Sequence, residues 1–320
     1  MPDSPRPWSR RDFVRHSTSC AAHLGLMAAG APLLARTRWA GQERYPVVAR
    51  EPWARIERVA EGIWAVVSTP LEDRTTLCNG GIVAGRAGVL VVEGFGSDEG
   101  SRWLALKARE LTGRLPTHVA LSHYHGDHTA GLRGALEEGS PDVLVTARTR
   151  DLVLERNAEP AAEALERATV LDTRRPTEID LGGRTVIAVP RRGHTDSDIS
   201  LEVVDPSVVF CGDLVWNGMF PNYMDATPSR LSLAVRLLRE RGADTWVPGH
   251  GALARAADLD RYIAVLDDVE AAATRAVERG WSAEEAGAAY RIPESLGDWM
   301  LFSPTYFERA IGAWMSELAG

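Results

Sequence analysis

Residues 123–128 read His123-Tyr124-His125-Gly126-Asp127-His128, and only Ser122 separates them from the apolar stretch Thr117-His118-Val119-Ala120-Leu121. Four side chains that can bind a metal ion are crowded into these six residues. Neutral imidazole and carboxylate are preferred ligands of zinc and of its neighbours in the transition series. Because the chain holds only eight histidines in 320 residues, composition alone does not account for three of them around one aspartate. The stretch therefore predicts a metal site at the end of a strand.

Three further candidate ligands stand downstream, and each follows a short apolar run that predicts a strand. They are His194 in Arg-Gly-His-Thr-Asp, Asp213 in Phe-Cys-Gly-Asp-Leu and His250 in Val-Pro-Gly-His-Gly. Glycine or proline flanks each of them, which allows the backbone to turn sharply at a strand end. Ligands at the carboxyl ends of several strands converge on one rim, where open α/β sheets commonly bind ligands.

The candidates number five histidines and two aspartates, which is about what two zinc ions sharing one carboxylate need. His123 and His125 alternate along the chain, so in an extended segment their side chains point the same way. We therefore divide the candidates into two groups that share Asp213 as a bridge. The first group is His123, His125 and His194, and the second is Asp127, His128 and His250.

This order of motifs resembles the metallo-β-lactamase-fold hydrolase superfamily, over roughly residues 56–251. The resemblance implies an α/β fold, a four-layer αββα sandwich. Within the superfamily the pattern is most similar to the glyoxalase II and lactonase type, in which the aspartate matching Asp213 bridges two metals. Zinc β-lactamases generally carry Cys or Ser at that position. One departure is Glu93, where relatives usually have Asp, and it is expected to alter a contact around the ligands without changing the ligands themselves.

The predicted elements favour the same architecture. Strand-like segments at residues 56–92 precede a helix at 103–111, and strands at 199–210 precede a helix that opens at Pro228-Ser229-Arg230. Two halves, each built of strands and then helices, favour a four-layer sandwich. We predict a catalytic domain over residues 55–255. Helices over residues 256–320 are expected to pack on that same domain.

The predicted function is hydrolysis of an ester, a thioester or a lactone by a hydroxide that bridges two zinc ions. Asp127 is the candidate catalytic residue, because it is placed to orient that hydroxide and to carry its proton. The sequence has no Gly-x-Ser-x-Gly motif that would supply a serine nucleophile. Trp216, Phe220 and Tyr223, in the aromatic stretch after Asp213, are candidate contacts of a small organic substrate, as is Arg192.

Three other functions stay open. The first is a metallo-β-lactamase acting on β-lactam amides. Asp213 and the absence of any lysine except Lys107 argue against this function. The second is an iron-dependent redox enzyme. Diiron relatives usually carry a carboxylate where this chain has His125, although ligand type alone leaves iron or manganese open as alternatives to zinc. The third is a non-catalytic metal-binding module, which would lack an open coordination position.

The amino terminus has the pattern of an export signal. Ser9-Arg10-Arg11-Asp12-Phe13-Val14 is a twin-arginine motif, and a weakly apolar stretch follows at residues 20–34. That stretch is too short and too rich in Gly and Ala to be a stable membrane anchor. We predict a signal peptide and leader over residues 1–40 and a linker over 41–54. The twin-arginine export machinery would then deliver a periplasmic or secreted protein.

The charge distribution argues against a nucleic-acid substrate. Residues 1–40 carry a net charge of +4 and the whole chain carries −8. The remaining 280 residues therefore carry −12. A markedly acidic surface repels nucleic acid, which favours a small-molecule substrate over the nuclease branch of the superfamily.

The cysteine content leaves the redox state open. Cys20 lies in the predicted leader, and Cys78 and Cys211 could form one disulfide in an oxidising compartment. Two buried thiols are the favoured interpretation. The sequence does not indicate an oligomeric state.

Overall fold

Two β-sheets lie face to face at the centre of the computed structural model, which describes residues 43–69, 74–157 and 162–320. The first sheet has eight strands in the order of the sequence. They are β1 (Val47–Arg50), β2 (Ala54–Ala60), β3 (Ile63–Ser68), β4 (Gly80–Ala84), β5 (Val89–Val92), β6 (His118–Ala120), β7 (Asp142–Thr146) and β8 (Thr169–Leu171). Strands β1 to β5 pair antiparallel, whereas β5 to β8 pair parallel.

The second sheet has five strands. They are β9 (Thr177–Asp180), β10 (Thr185–Pro190), β11 (Ile199–Val203), β12 (Val208–Asn217) and β13 (Thr245–Gly251). Their spatial order is β13-β12-β11-β10-β9, and only the pair of β12 and β13 is parallel. The parallel pair and the parallel strands of the first sheet place their carboxyl ends where the candidate ligands stand.

Nine α-helices lie in the described part of the chain. They are α1 (Asp98–Thr112), α2 (Gly126–Thr129), α3 (Leu132–Glu138), α4 (Ala147–Asn157), α5 (Ala162–Glu166), α6 (Pro228–Glu240), α7 (Ala256–Arg279), α8 (Ala283–Ala289) and α9 (Thr305–Leu318). None of these described helices has both the length and the apolar character that crossing a bilayer requires.

Three separate apolar clusters define the layers. One lies between the sheets and includes Leu90 and Phe210. A second joins the outer face of the first sheet to α1, α3 and α4, and a third joins the outer face of the second sheet to α6, α7 and α9. Because a fully buried aliphatic side chain contributes about 1.5–3 kcal/mol, these clusters hold helices on both outer faces. The predicted four-layer αββα sandwich is confirmed, and the helices after His250 pack on the second sheet.

Helix α1 shows how local signals set the boundaries. The sequence predicts a helix over residues 103–111 that stops at Gly113. The structure ends the helix there, with Gly113 in the left-handed conformation at φ 77°. The helix begins five residues earlier than predicted, at Asp98, because the Ser97 side chain accepts a hydrogen bond from the Gly100 amide and caps the amino terminus.

The predicted linker over residues 41–54 requires correction. Its residues 47–50 form strand β1, which pairs antiparallel with β2. The buried carboxylate of Glu57 accepts hydrogen bonds from the amides of Arg44 and Tyr45 at 3.0 Å and pairs with Arg55 at 2.7 Å. These contacts order the segment as the edge of the domain, since they satisfy a charge that would otherwise be buried alone.

The predicted leader over residues 1–40 lies outside the described residues. Both Cys78 and Cys211 are buried, unpaired thiols, in agreement with the favoured interpretation.

Candidate metal centre

The seven candidate ligands meet in two overlapping groups at the carboxyl ends of the strands. Within each group, one potential ligand atom from every residue lies within 4.8 Å of the others. The first group is His123, His125, His194 and Asp213, and the second is Asp127, His128, Asp213 and His250. This is the division that the spacing of the sequence predicts.

Asp213 lies between the groups and turns one carboxylate oxygen to each. Its Oδ2 is 3.3 Å from Nε2 of His194 and 4.0 Å from Nε2 of His123. Its Oδ1 is 3.0 Å from Nε2 of His128 and 3.3 Å from Nε2 of His250. A carboxylate with its two oxygens directed in this way has the geometry of a bridge between two ions.

The turn after β6 sends its side chains into both groups. His125 stands on extended backbone, His123 lies in the bend just before it, and their ring centroids are 4.7 Å apart. Helix α2 begins at Gly126, and its first turn redirects the backbone so that Asp127 and His128 join the second group. One six-residue motif therefore supplies both halves of the centre, because the chain changes from extended to helical in its middle.

Asp213 and His250 stand within strands rather than after them, which corrects the prediction. Strand β12 continues beyond the apolar run to Asn217, and its pairing with β13 is irregular on both sides of Gly212. Gly212 has φ 53°, a conformation that glycine adopts readily. A Cβ on Gly249 would lie 2.0 Å from Oδ1 of Asp213. Glycine at position 249 therefore permits the close approach of β12 and β13, and glycine at position 212 leaves room for Ser122.

Several buried atoms of the cluster form no hydrogen bond of good geometry with the described residues, although some of them lie close to one another. They include Nε2 of His123, His128 and His250 and Oδ1 of Asp213. A buried polar group without a partner is costly, and native structures rarely keep one without a reason. Because all four atoms face the interior of the cluster, and because imidazole and carboxylate suit zinc and neighbouring ions, the residues fit a pair of metal ions.

Electrostatics keep part of the cluster in the ionisation state that binds metal. Burial holds the pKa of His123 well below its usual value, and it lowers the pKa of His194 to about 4. Burial opposes ionisation of Asp213, but the neighbouring His250 and His128 outweigh it and hold the pKa of that carboxyl well below its usual value. Neutral imidazoles and an ionised carboxylate are the forms that coordinate metal ions.

His250 has the opposite shift in the metal-free protein. Burial alone would lower its pKa, but Asp213 and Asp127 outweigh burial and raise the pKa to about 9. At neutral pH this imidazole is protonated until an ion displaces the proton, so ion binding at the second group releases protons.

Three side chains that the sequence does not place at the site support the ligands. Asp225 Oδ2 lies 2.8 Å from Nε2 of His125. Asn79 donates hydrogen bonds to the carbonyls of Pro248 and Gly251, at 2.9 and 2.8 Å, and so fixes the segment that carries His250. Asp198 accepts from the Thr195 amide at 2.9 Å and closes the turn after His194. Asn79 and Asp225 have no spacing that links them to the ligands along the chain, whereas Asp198 lies four residues after His194.

Glu93, which the resemblance marks as a departure, does contact the centre. Its Oε1 lies 3.2 Å from Nδ1 of His128, and its Oε2 accepts a hydrogen bond from the Ser122 amide at 3.2 Å. Glu93 is buried and has φ 77°, a conformation that is uncommon for a residue with a side chain. The longer side chain thus reaches a ligand while the ligand set stays unchanged.

The predicted substrate contacts separate into different environments. The Trp216 ring lies beside His250, with ring centroids 4.1 Å apart. Phe220 has no exposed surface and packs on Phe307 of α9, and Tyr223 is also buried in that cluster. A side chain without accessible surface cannot contact a substrate in this conformation, so Phe220 is a packing residue, while Tyr223 and Trp216 are each only 3% exposed. Arg192 is exposed, two residues before His194.

Solved structures share the fold at low sequence identity. A metallo-beta-lactamase from Hirschia baltica aligns with a TM-score of 0.54 and 19% identity, over 68% of this chain and 98% of that chain. The metallo-beta-lactamase FIM-1 from Pseudomonas aeruginosa, solved in a mono-zinc form, aligns with a TM-score of 0.57 and 18% identity, over 69% and 97%. Similarity at this level of identity shows the fold alone.

Two curated relatives match by sequence. A hydroxyacylglutathione hydrolase of Parasynechococcus marenigrum (strain WH8102) is 30% identical over 151 residues, which are 45% of this chain and 54% of that protein. A lactamase-like protein of Pestalotiopsis microspora is 26% identical over 171 residues, 53% of this chain and 47% of that protein. The chain therefore spans about half the length of the curated relatives that it matches.

The family model of the metallo-beta-lactamase superfamily matches residues 73–250. The matched region is more than half of the chain, and it contains all seven residues of the two groups. This chain belongs to the metallo-beta-lactamase superfamily.

Proposed function

We propose that this protein is an exported, zinc-dependent hydrolase that cleaves an ester, a thioester or a lactone at a centre of two ions. The observation that carries the proposal is the position of Asp213, which turns one oxygen to each group of ligands. The similarity to a hydroxyacylglutathione hydrolase supports a thioester or a related acyl substrate.

The first group of residues would hold one ion, and the second group would hold the other, with Asp213 common to both. Zinc bound there would make a bound water acidic enough to lose a proton near neutral pH and would stabilise negative charge on the substrate. The remaining chemistry belongs to the side chains of the protein.

Of the two carboxylates in the centre, Asp127 is the more exposed. It is therefore the one that solvent and substrate can reach. Its side chain is 24% exposed, against 3% for Asp213. Burial opposes ionisation, but His128 and His250 outweigh it and lower the pKa of Asp127 to about 2, so this carboxyl is ionised at neutral pH. Its Oδ2 lies 3.2 Å from Nε2 of His250. In this proposal the ionised carboxylate of Asp127 orients the attacking water and accepts its proton, a role that contributes about 10²–10⁴-fold in typical enzymes.

β-Lactam hydrolysis is the second candidate, and the shared fold favours it. Two of its cations, Arg191 and Lys107, argue against it, whereas Arg192 is exposed two residues before His194 and is accessible to a substrate carboxylate. Arg191 is half-buried and pairs with Glu202 at 2.8 Å, so it is held away from a substrate carboxylate. Lys107, the only lysine, lies on α1 and pairs with Glu110. Relative turnover of acyl thioesters and β-lactams by zinc-loaded protein tests the proposal, and thioesters are expected to react faster.

Export by the twin-arginine route is a separate part of the proposal, which the motif at residues 9–14 supports. Changing both Arg10 and Arg11 to lysine keeps the positive charge and removes the guanidinium pair. Cell fractionation is expected to show the variant retained in the cytoplasm. Delivery of the variant to the periplasm at the wild-type level would contradict this route.

A further inference from the structure

We propose that Asp225 is a positioning residue that fixes the ring of His125 in the orientation required for metal binding, and that backbone contacts with Met300 and Gly193 hold the segment of Asp225 in place. The inference rests on the proposed function, because it assumes that the first group of residues binds an ion.

The two nitrogens of His125 have different partners. Nε2 lies 2.8 Å from Oδ2 of Asp225, and Nδ1 lies 3.0 Å from Nε2 of His194 inside the first group. When a histidine donates one ring N–H to a carboxylate, the other nitrogen keeps its lone pair and is available to a metal ion. Asp225 thus selects the tautomer in which Nδ1 of His125 is the ligand atom.

Asp225 is itself restrained. Its side chain is 23% exposed, and the hydroxyl of Tyr124, the neighbour of His125, also hydrogen-bonds to its carboxylate. Both contacts come from the motif after β6, although Asp225 is 100 residues away in sequence. A carboxylate with two partners from one turn fixes the ring more firmly than a single contact would.

The segment at residues 218–227 that carries Asp225 is anchored at both ends. Near its start, the amide of Phe220 donates to the Met300 carbonyl at 2.8 Å, and the Met300 amide donates to the Gly218 carbonyl at 3.0 Å. At its end, the amide of Thr227 donates to the Gly193 carbonyl at 2.9 Å. Met300 lies beyond residues 73–250, so part of this chain outside the family match sets the position of a residue that contacts a ligand.

The substitution Asp225→Ala tests the role directly. It removes the carboxylate, so the affinity of the protein for one of the two zinc ions is expected to fall by about 10–100-fold. This is the usual effect of losing the carboxylate partner of a histidine that binds a metal ion. Asp225→Asn keeps an oxygen that can accept from Nε2 and is expected to cause a smaller loss. Asp196→Asn is the matched control, because Asp196 lies two residues after His194 but is exposed and pairs with Arg148.

The readout is zinc affinity, measured by competition with a chelator for each of two binding steps, together with the melting temperature of the metal-free protein. The inference predicts selective weakening of one step in Asp225→Ala, with a metal-free melting temperature close to that of the wild type. Wild-type affinities at both steps in Asp225→Ala would overturn it, as would equal weakening of both steps with a lower metal-free melting temperature. If Asp225→Ala does not fold, the same criteria apply to Asp225→Asn. A wild-type protein that binds no zinc would overturn the proposed function as well.

Discussion

Replacing Asp213 with alanine is expected to reduce bound zinc from two ions to at most one and to lower kcat/KM by at least about 10³-fold, or about 4 kcal/mol of transition-state stabilisation. Asp213 is the residue that both groups share, so its loss removes a ligand from each. It also leaves His128 and His250 without the carboxylate oxygen that lies 3.0 and 3.3 Å from them. Elemental analysis and steady-state kinetics on the purified variant measure both effects.

Asp260→Ala is a suitable control for this experiment. Asp260 is an exposed carboxylate on α7 that pairs with Arg239, and it belongs to neither group. Its removal is expected to leave zinc content and kcat/KM unchanged. Two bound ions and wild-type kcat/KM in Asp213→Ala would contradict a bridging role.

The second large effect is expected for Asp127→Asn. Asparagine has nearly the same shape but does not accept a proton, so kcat is expected to fall by about 10²–10⁴-fold. KM should change little, because the proposed role concerns the attacking water and its proton rather than binding of the substrate. Asp127 also belongs to the second group of candidate ligands, so the zinc content of the variant must be measured alongside. A variant that retains two ions and a near-normal kcat would remove Asp127 from the mechanism.

The two groups of candidate ligands could be predicted from the sequence because their signals are local. His123 and His125 are recognisable from spacing within a single turn, and His194, Asp213 and His250 each follow an apolar run next to glycine. The candidate ligands converge because the parallel strands that carry them end at the same edge of the fold. What the sequence did not indicate was that β12 and β13 continue through the site, because that continuation depends on their pairing with each other and on the irregular register around Gly212.

Contacts made across the fold could not be predicted from the sequence. Asp225 is separated from His125 by 100 residues and stands in a loop without a metal-binding motif. The aromatic stretch after Asp213 indicated either packing or a substrate pocket, since both use the same residue types. Helix α9 covers Phe220 through Phe307, and this tertiary contact decides in favour of packing. The sequence predicts a linker where strand β1 lies, because the ordering of that strand depends on Glu57 of the next strand.

The central claim, hydrolysis of acyl-oxygen or acyl-sulfur bonds at a two-ion centre, is tested most directly by substrate preference. The measurement is kcat/KM of zinc-loaded protein for a glutathione thioester, an aryl ester, a lactone and a chromogenic cephalosporin under one set of conditions, with Asp213→Ala as the control for contaminating activity. The account predicts that at least one of the first three substrates reacts faster than the cephalosporin and that Asp213→Ala loses this activity. A cephalosporin that leads by tenfold or more, about 1.4 kcal/mol in transition-state stabilisation, would contradict the account and favour a β-lactamase.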